Sequence, residues 1–222
     1  MGSPALLNGR VTPFVAPFAV FIALLAASPL LQGLVDARWL VVGRALVAAA
    51  LIGWFWRAYG ELRTPARPAH WLLAVGTGLA LAVAWVALDA HWMRLGDDPP
   101  GFIPLREDGS LDLLLVALRI FGFALVVPVM EELFWRSFLM RRIDRRDFVA
   151  LDPRATTTLA LVLSSVAFAL EHREWLAGLL AGLAFGTLYR RTGNLRACIA
   201  SHGTTNLTIA GWVLATHEWR LW

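Results

Sequence analysis

The feature of this sequence that most constrains its fold is a series of long segments with almost no charge. Residues 11–35 form a 25-residue segment without a charged side chain, whereas a helix needs only about 20 apolar residues to cross a bilayer. The sequence therefore predicts an all-α, polytopic transmembrane helix bundle of about seven spans, within a range of six to eight. The other predicted spans are the apolar runs at about 39–58, 69–93, 111–140, 156–171, 175–189 and 196–217.

Composition favours the same class of protein and removes several functions. Hydrophobic residues make up 58% of the chain and charged residues only 16%, against about a quarter charged in an average soluble domain. All 20 basic residues are arginine, and the absence of lysine removes lysine-based Schiff-base and phosphate-loop chemistry. The net charge of +4 comes without a basic tract interleaved with aromatic residues, so no nucleic-acid partner is expected. Cys198 is the only cysteine, which excludes an internal disulfide.

The first apolar segment has a competing interpretation as a signal peptide, because Ala26-Ala27-Ser28 could form a cleavage region. Its length exceeds the roughly 7–15 residues of a usual signal core, which favours a first transmembrane helix. No repeat and no second composition type divides the chain. We therefore expect a single membrane-embedded domain over 1–222.

Basic residues accumulate in every second connection between the predicted spans. Short cytoplasmic loops are enriched in basic residues, so this alternation predicts a bundle with a cytoplasmic N-terminus. The residues concerned are Arg57, Arg63 and Arg67 after the second span, Arg141, Arg142, Arg145, Arg146 and Arg154 after the fourth, and Arg190, Arg191 and Arg196 after the sixth.

Adjacent glutamates inside an apolar run form the first candidate cluster. Ionisable groups in membrane spans are costly, so each is a functional hypothesis by default. Glu132 and Arg136 are four residues apart, which puts them on one helical face within reach of an ion pair. Glu131 lies about 100° around the helix and stays available. The alternative is a helix end at which these charges are simply solvated.

Two further clusters end or interrupt later apolar runs. Phe168 and His172 end the fifth run, where a lone histidine is also compatible with an interfacial position. His202 and Asn206 are four residues apart in the last run, so both project from one face. Interhelical hydrogen bonding alone would also explain this last pair.

Other charged residues are assigned simpler roles. Glu171 and Glu174, beside the fifth run, are expected to be solvated loop acids. Arg44 and Arg119, within apolar runs, are expected to snorkel or to pair with acids near the outer surface. The acids expected as their partners are Asp36 and Asp112.

Together the three clusters contain the groups needed for amide hydrolysis without a covalent nucleophile. A carboxylate in an apolar setting can act as a general base, and a histidine can share the activated water. A second histidine and an asparagine amide can donate hydrogen bonds to an oxyanion. The sequence contains no His-Glu-x-x-His run, no Gly-x-Ser-x-Gly turn and no pair of membrane aspartates.

The order and spacing of these residues resemble the three motifs of the CAAX-protease and bacteriocin-processing family, which includes the type II CAAX prenyl endopeptidases. The resemblance covers about 111–210 and includes the run from Gly182 to Leu195, which is similar to the segment before the third motif. Within the family the chain most resembles a bacterial branch linked to exosortase systems. The matching motifs are Glu131-Glu132-x-x-x-Arg136, Phe168-x-x-x-His172 and His202-x-x-x-Asn206.

The resemblance implies an intramembrane endopeptidase that acts on membrane-associated protein or peptide substrates in a bacterial inner membrane. Glu131 would activate water with help from His172, and His202 with Asn206 would stabilise the oxyanion. A zinc ion held by Glu131, His172 and His202 is an open alternative to a mechanism without metal. The resemblance implies supporting roles for Glu132, Arg136 and Phe168.

Two alternatives to a protease remain at this stage, namely a non-catalytic immunity or assembly protein and a proton-coupled transporter that uses the glutamates. The predicted topology also contains a conflict. Counting along the helices puts Glu131 in the inner half of its span but His172 toward the outer surface. A late start of the fifth helix, or a break at Pro128, would remove this conflict.

Overall fold

The computed structural model describes residues 4–31, 33–97 and 101–222. These residues form seven long helices and no β-strand, and an isolated bridge joins Leu105 and Leu111. The predicted all-α class is therefore confirmed. In chain order the helices are α1 (Pro4–Leu31), α2 (Ala37–Trp54), α3 (Pro68–Ala87), α4 (Leu113–Asp144), α5 (Thr158–Glu171), α6 (Trp175–Thr192) and α7 (Leu195–Thr216).

Four of the described helices are long and apolar enough to cross a membrane, which confirms a polytopic membrane protein. These candidate spans lie in α1, α2, α3 and α4, and α5 is a shorter apolar helix. The polar motif residues lie on the second half of α4, directly after α5 and on α7. The cytoplasmic location of the N-terminus stays a prediction.

Successive helices run in opposite directions, so their connections gather at two ends of the bundle. At the end that carries the arginine-rich connections, Asn194 Nδ2 donates to the carbonyl of Thr64 at 3.3 Å, and Arg154 Nη2 donates to the carbonyl of Thr192 at 2.6 Å. At the opposite end, Arg220 binds Asp89 through two hydrogen bonds of 2.8 Å. The helix order thus reproduces the alternation of arginine-rich and arginine-poor connections.

Helix α1 is an integral part of the bundle. Phe14 is 5% exposed and makes edge-to-face contacts with Tyr59 and Phe148. The Tyr59 hydroxyl donates to the carbonyl of Pro13 at 2.7 Å, which ties the α2–α3 connection to α1. The segment considered as a signal peptide therefore contributes directly to the hydrophobic core.

A buried ion pair ties α4 to its neighbours at the arginine-rich end. Arg141 is 2% exposed and its guanidinium binds the Glu61 carboxylate. Glu61 also accepts hydrogen bonds from the Tyr189 hydroxyl and from Ser137 Oγ, the latter at 2.9 Å. Since a buried guanidinium needs a carboxylate partner, this network fixes the α2–α3 connection against α4 and α6.

Helix α4 passes through Pro128 without breaking. Proline lacks an N–H and its ring crowds the carbonyl four residues earlier, so a continuous α-helix cannot accommodate it without local adjustment. The adjustment here is a widened π-helical turn over Phe121–Val126, and a second one follows over Glu132–Met140. The predicted break at Pro128 is therefore wrong, and the helix absorbs the proline by widening.

The short length of α5 determines where His172 lies in the bundle. This helix begins at Thr158, two residues after the start of its apolar run, and ends at Glu171. Its 14 residues extend only about 21 Å, which is less than the roughly 30 Å of a bilayer core. Because α5 turns back into α6 partway across the bundle, His172 reaches the central cavity, and its depth in the membrane stays a prediction.

Three glycines on one face of α6 bring α5 unusually close. A Cβ on Gly182 would lie 2.9 Å from Cα of Ser165, and one on Gly186 would lie 2.3 Å from Leu161 Cδ1. A Cβ on Gly178 would lie 3.3 Å from Cβ of His172. Small residues spaced by four allow close helix contact in membranes, and here that contact positions the end of α5.

Replacing Gly182 with alanine tests this contact. We expect the G182A variant to unfold more easily by about 1–3 kcal/mol, because its methyl group meets backbone atoms that can move only with the whole of α5. The measurement is the free energy of unfolding in mixed detergent micelles. A Cβ on Gly211 in α7 would have no neighbouring atom within 4 Å, so G211A is the matched control. Equal destabilisation of both variants would contradict close packing of α5 on α6.

Candidate active site

A cavity of about 220 Å³ lies at the centre of the bundle and receives side chains from all seven helices. The four residues predicted to be catalytic, Glu131, His172, His202 and Asn206, all line it. They come from α4, the end of α5 and α7, which are separated in sequence by up to 75 residues. Three motifs that are weak individually thus meet at one place.

Next to this cavity, Glu132, Arg136 and His202 form a buried polar cluster. Arg136 Nε lies 3.2 Å from Glu132 Oε2, as the spacing of four residues predicts. Nδ1 of His202 lies 3.0 Å from Glu132 Oε1, a contact between α4 and α7 that the sequence did not indicate. Glu132 is 0% exposed and Arg136 is 2% exposed, so both charges depend on these partners.

Aromatic rings enclose the guanidinium of Arg136. Its Cζ lies 4.3 Å from the ring centre of Phe168 and 5.3 Å from that of Phe185. Its two Nη atoms are buried and have no hydrogen-bond partner within the described residues, so the ring faces supply their main electrostatic compensation. Phe185 also stacks on the His202 ring at 4.9 Å. Phe168 therefore has a physical reason to accompany the charged residues, and Phe185 joins the site through the same contacts.

Glu131 has a different environment from Glu132. Its side chain lines the cavity and is 5% exposed, and its buried Oε2 has no hydrogen-bond partner among the residues described. The charged groups that act on it include Glu132 and Glu171, which repel an ionised carboxylate. A carboxylate held in this way has unused acceptor capacity directed at the cavity, where a water or a substrate can bind.

His172 is held by its own helix. The chain leaves α5 at this residue, and His172 Nδ1 donates to the carbonyl of Phe168 at 2.8 Å. A carbonyl can only accept, so Nδ1 carries the hydrogen and Nε2 keeps its lone pair. The Trp85 ring contacts the imidazole edge to face at 5.4 Å, which restricts its rotation.

Asn206 is positioned by the widened turn of α4. Its Nδ2 donates to the carbonyl of Phe123 at 2.8 Å, inside the π-helical segment. Gly203 permits this approach, because a Cβ there would lie 2.9 Å from the carbonyl oxygen of Ala124. One N–H of the Asn206 amide remains for a ligand in the cavity.

The zinc site considered as an alternative, with Glu131, His172 and His202 as ligands, is not supported. No three His, Cys, Asp or Glu side chains among the described residues come together as a group that could hold a metal ion. The side chains of Glu131, His172 and His202 share the cavity but do not form such a group.

Two arginines that were expected to pair with acids near the outer surface instead line the cavity. Arg44 and Arg119 both face it, and neither forms an ion pair within the described part of the chain. Asp36 instead binds Arg38, with Nε to Oδ2 at 2.9 Å, and Asp112 caps the start of α4. The pairing expected for Arg44 and Arg119 is therefore wrong, because their acids are already engaged. Their position in apolar runs was the signal that could have assigned them to the site.

Glu171, the last residue of α5, and Glu174, just after it, differ in their exposure to solvent. Glu174 has a side chain that is only 12% exposed and lines the cavity, so its assignment as a solvated acid is wrong. Glu171 is exposed and accepts a hydrogen bond from the Trp135 indole at 3.1 Å. The short α5 turns Glu174 inward, which the apolar pattern alone does not reveal.

Comparison with known families agrees with this arrangement. Residues 113–208 match the family model described as type II CAAX prenyl endopeptidase Rce1-like. This segment of 96 residues is similar to that family of intramembrane proteases. The segment contains α4, α5, α6 and most of α7, with all seven residues of the three motifs. No curated protein and no solved structure matches the chain. The assignment to an exosortase-linked branch stays a prediction.

The contrasting environments of the two glutamates lead to opposite expectations for stability. Glu132→Gln leaves the buried Arg136 without a carboxylate, so we expect a loss of about 3 kcal/mol in the free energy of unfolding. Glu131→Gln removes no hydrogen bond to Oε2 and relieves repulsion, so we expect unchanged or higher stability. Unfolding of both variants in mixed micelles checks this. A greater loss for E131Q than for E132Q would contradict the assignment of the structural and the free carboxylate.

Proposed function

We propose that the protein is an intramembrane endopeptidase that hydrolyses membrane-associated protein or peptide substrates with water activated by Glu131 and His172. The match of residues 113–208 to the CAAX-type family of intramembrane proteases supports the general activity. The observation that carries the specific mechanism is that Glu131, His172, His202 and Asn206 line one cavity.

In this mechanism a water molecule lies between Glu131 and His172. The unpartnered Glu131 carboxylate removes a proton from the water, while Nε2 of His172 accepts the second hydrogen bond and orients it. The oxygen attacks the carbonyl carbon of the substrate and forms a tetrahedral intermediate. Glu131 then gives its proton to the leaving amine, the C–N bond breaks, and the enzyme is regenerated.

The negative charge of the intermediate is assigned to His202 and Asn206. Glu132 accepts the Nδ1 hydrogen of His202, and in the proposed intermediate its charge would favour an imidazolium whose Nε2–H donates to the oxyanion. The second N–H of the Asn206 amide completes the pair of donors, since the first is held by Phe123. Arg136 balances the charge of Glu132 and keeps it in place.

We further propose that a single membrane-embedded domain over 1–222 contains a catalytic half at 111–210, and that the protein resides in a bacterial inner membrane. Its partners would be the lipid bilayer and a membrane-associated substrate. The arginine-rich connections favour a cytoplasmic position for that end of the bundle.

The central test is cleavage by a Glu131→Gln variant. Wild-type and variant proteins are reconstituted in liposomes with a library of membrane-inserted peptides, and products are identified by mass spectrometry. We expect E131Q to lose at least about 100-fold in cleavage rate while remaining inserted and folded, because the base that activates water is removed. The exposed loop residue Glu107 provides the matched control E107Q.

The outcomes separate the proposed protease from the other classes of function. Undiminished cleavage by E131Q would eliminate Glu131 as the base. A variant that fails to insert or fold would favour a structural role of the glutamates, and a loss of pH-dependent ion flux without any wild-type cleavage would favour a transporter.

A further inference from the structure

Two arginines that the mechanism does not use face the same cavity as Glu131. Arg44 comes from α2 and Arg119 from α4, and the Nε atom of each is buried without a hydrogen-bond partner in the described residues. Neither guanidinium has a carboxylate within ion-pair distance among those residues. Both side chains are only partly exposed, and a guanidinium in such a position normally has an acidic partner, so these two need an explanation.

Aromatic rings compensate these charges only in part. Arg119 lies over Phe102, Phe123 and Trp222 at 5.5, 4.9 and 5.9 Å from the ring centres, and Arg44 lies over Phe21 at 5.2 Å. Arg119 also experiences the like charge of Arg44. Ring faces hold a guanidinium in position but do not neutralise it. The pair is therefore rigidly held and still lacks an anion.

The acidic groups of the cavity do not fill this role. Glu131 and Glu174 line the cavity, but Glu174 Oε1 lies 3.3 Å from Arg173 Nη1, and neither carboxylate is within ion-pair distance of Arg44 or Arg119. Arg119 precedes Glu131 by 12 residues, or about 18 Å along a helix. The cavity thus has a basic part and an acidic part that are separated along the bundle axis.

The basic part adjoins a second cavity that leads toward the opposite end of the bundle. This second cavity has a volume of about 300 Å³ and is also lined by Arg44 and Arg119. Its other walls include Arg38 at the start of α2 and Gly101 in the loop before α4. A chain that enters from this end meets the two arginines before it reaches Glu131.

We propose that Arg44 and Arg119 form an anion subsite that binds a carboxylate of the peptide substrate, on the side of the scissile bond that faces the opposite end of the bundle. The proposal rests on the proposed protease function. A guanidinium presents paired N–H donors that match a carboxylate, and two of them can hold one carboxylate from both sides. An extended peptide rises about 3.3 Å per residue, so the helix length between the two backbone positions corresponds to at most about five residues between carboxylate and scissile bond.

Binding is tested separately from cleavage. The E131Q protein in zwitterionic nanodiscs is titrated calorimetrically with two matched pairs of decanoyl heptapeptides. One pair carries an internal glutamate or glutamine, and the other carries a C-terminal carboxylate or carboxamide. We expect the carboxylate member of at least one pair to bind about tenfold more tightly, as loss of a charged hydrogen bond implies.

The variants R44Q and R119Q, added singly and together to E131Q, should abolish this preference. The matched control is R10Q, since Arg10 is exposed at the arginine-rich end of the bundle, with 62% of its side chain accessible. Removal of an unpaired charge should not lower the melting temperature. If R119Q prevents insertion, R44Q alone should still reduce the preference by about threefold or more.

A cleavage assay provides the second test of the anion subsite. In liposomes, wild-type protein should cleave substrates with a carboxylate within about five residues of the scissile bond at least tenfold faster than their neutral counterparts, and R44Q/R119Q should remove this difference. Cleavage without such a preference would overturn the subsite and leave the protease proposal intact. Carboxylate-selective binding without any cleavage would overturn the protease function and retain an anion site.

A lipid phosphate is the competing occupant. Nanodiscs with phosphatidylglycerol would then raise the melting temperature of wild-type protein but not of R44Q/R119Q, while the charged and neutral peptides bind equally. That combination would overturn the proposal in favour of a lipid site.

Discussion

The ion pair between Glu132 and Arg136 is the interaction on which the rest of the site depends. Both side chains are almost completely buried, and neither charge would be tolerated there alone. Through its second oxygen Glu132 also binds His202 and so joins α4 to α7. Because Glu132 contacts both Arg136 and His202, Glu131 on the adjacent helical face has no structural partner to serve. The arrangement separates a carboxylate that maintains the structure from one that is free for chemistry.

The protein surrounds these charges with aromatic rings rather than with water. Phe168 covers Arg136, and Phe185 covers both Arg136 and His202, so the charged group is stabilised by ring faces. The same device recurs around Arg119. Glycines on α6 and a widened turn in α4 then bring the backbone close enough for His172 and Asn206 to reach the cavity.

Local spacing made part of this site predictable. The four-residue interval between Glu132 and Arg136 fixes their contact in any helix, and long uncharged runs require helices in a membrane. The depth of His172 was not predictable, because it depends on where α5 stops, and apolar runs do not encode that end sharply. The π-helical turns and the inward position of Arg119 were also missed, since both result from packing between distant segments.

The most direct test of the account is a high-resolution structure of the E131Q protein in a lipid nanodisc with a bound substrate peptide. The account predicts an ordered water within hydrogen-bonding distance of both residue 131 and Nε2 of His172. It also predicts that the scissile carbonyl oxygen points to His202 and Asn206. A peptide carbonyl bound outside the cavity, or an imidazole of His172 directed away from residue 131, would contradict the assignment of Glu131 as the base.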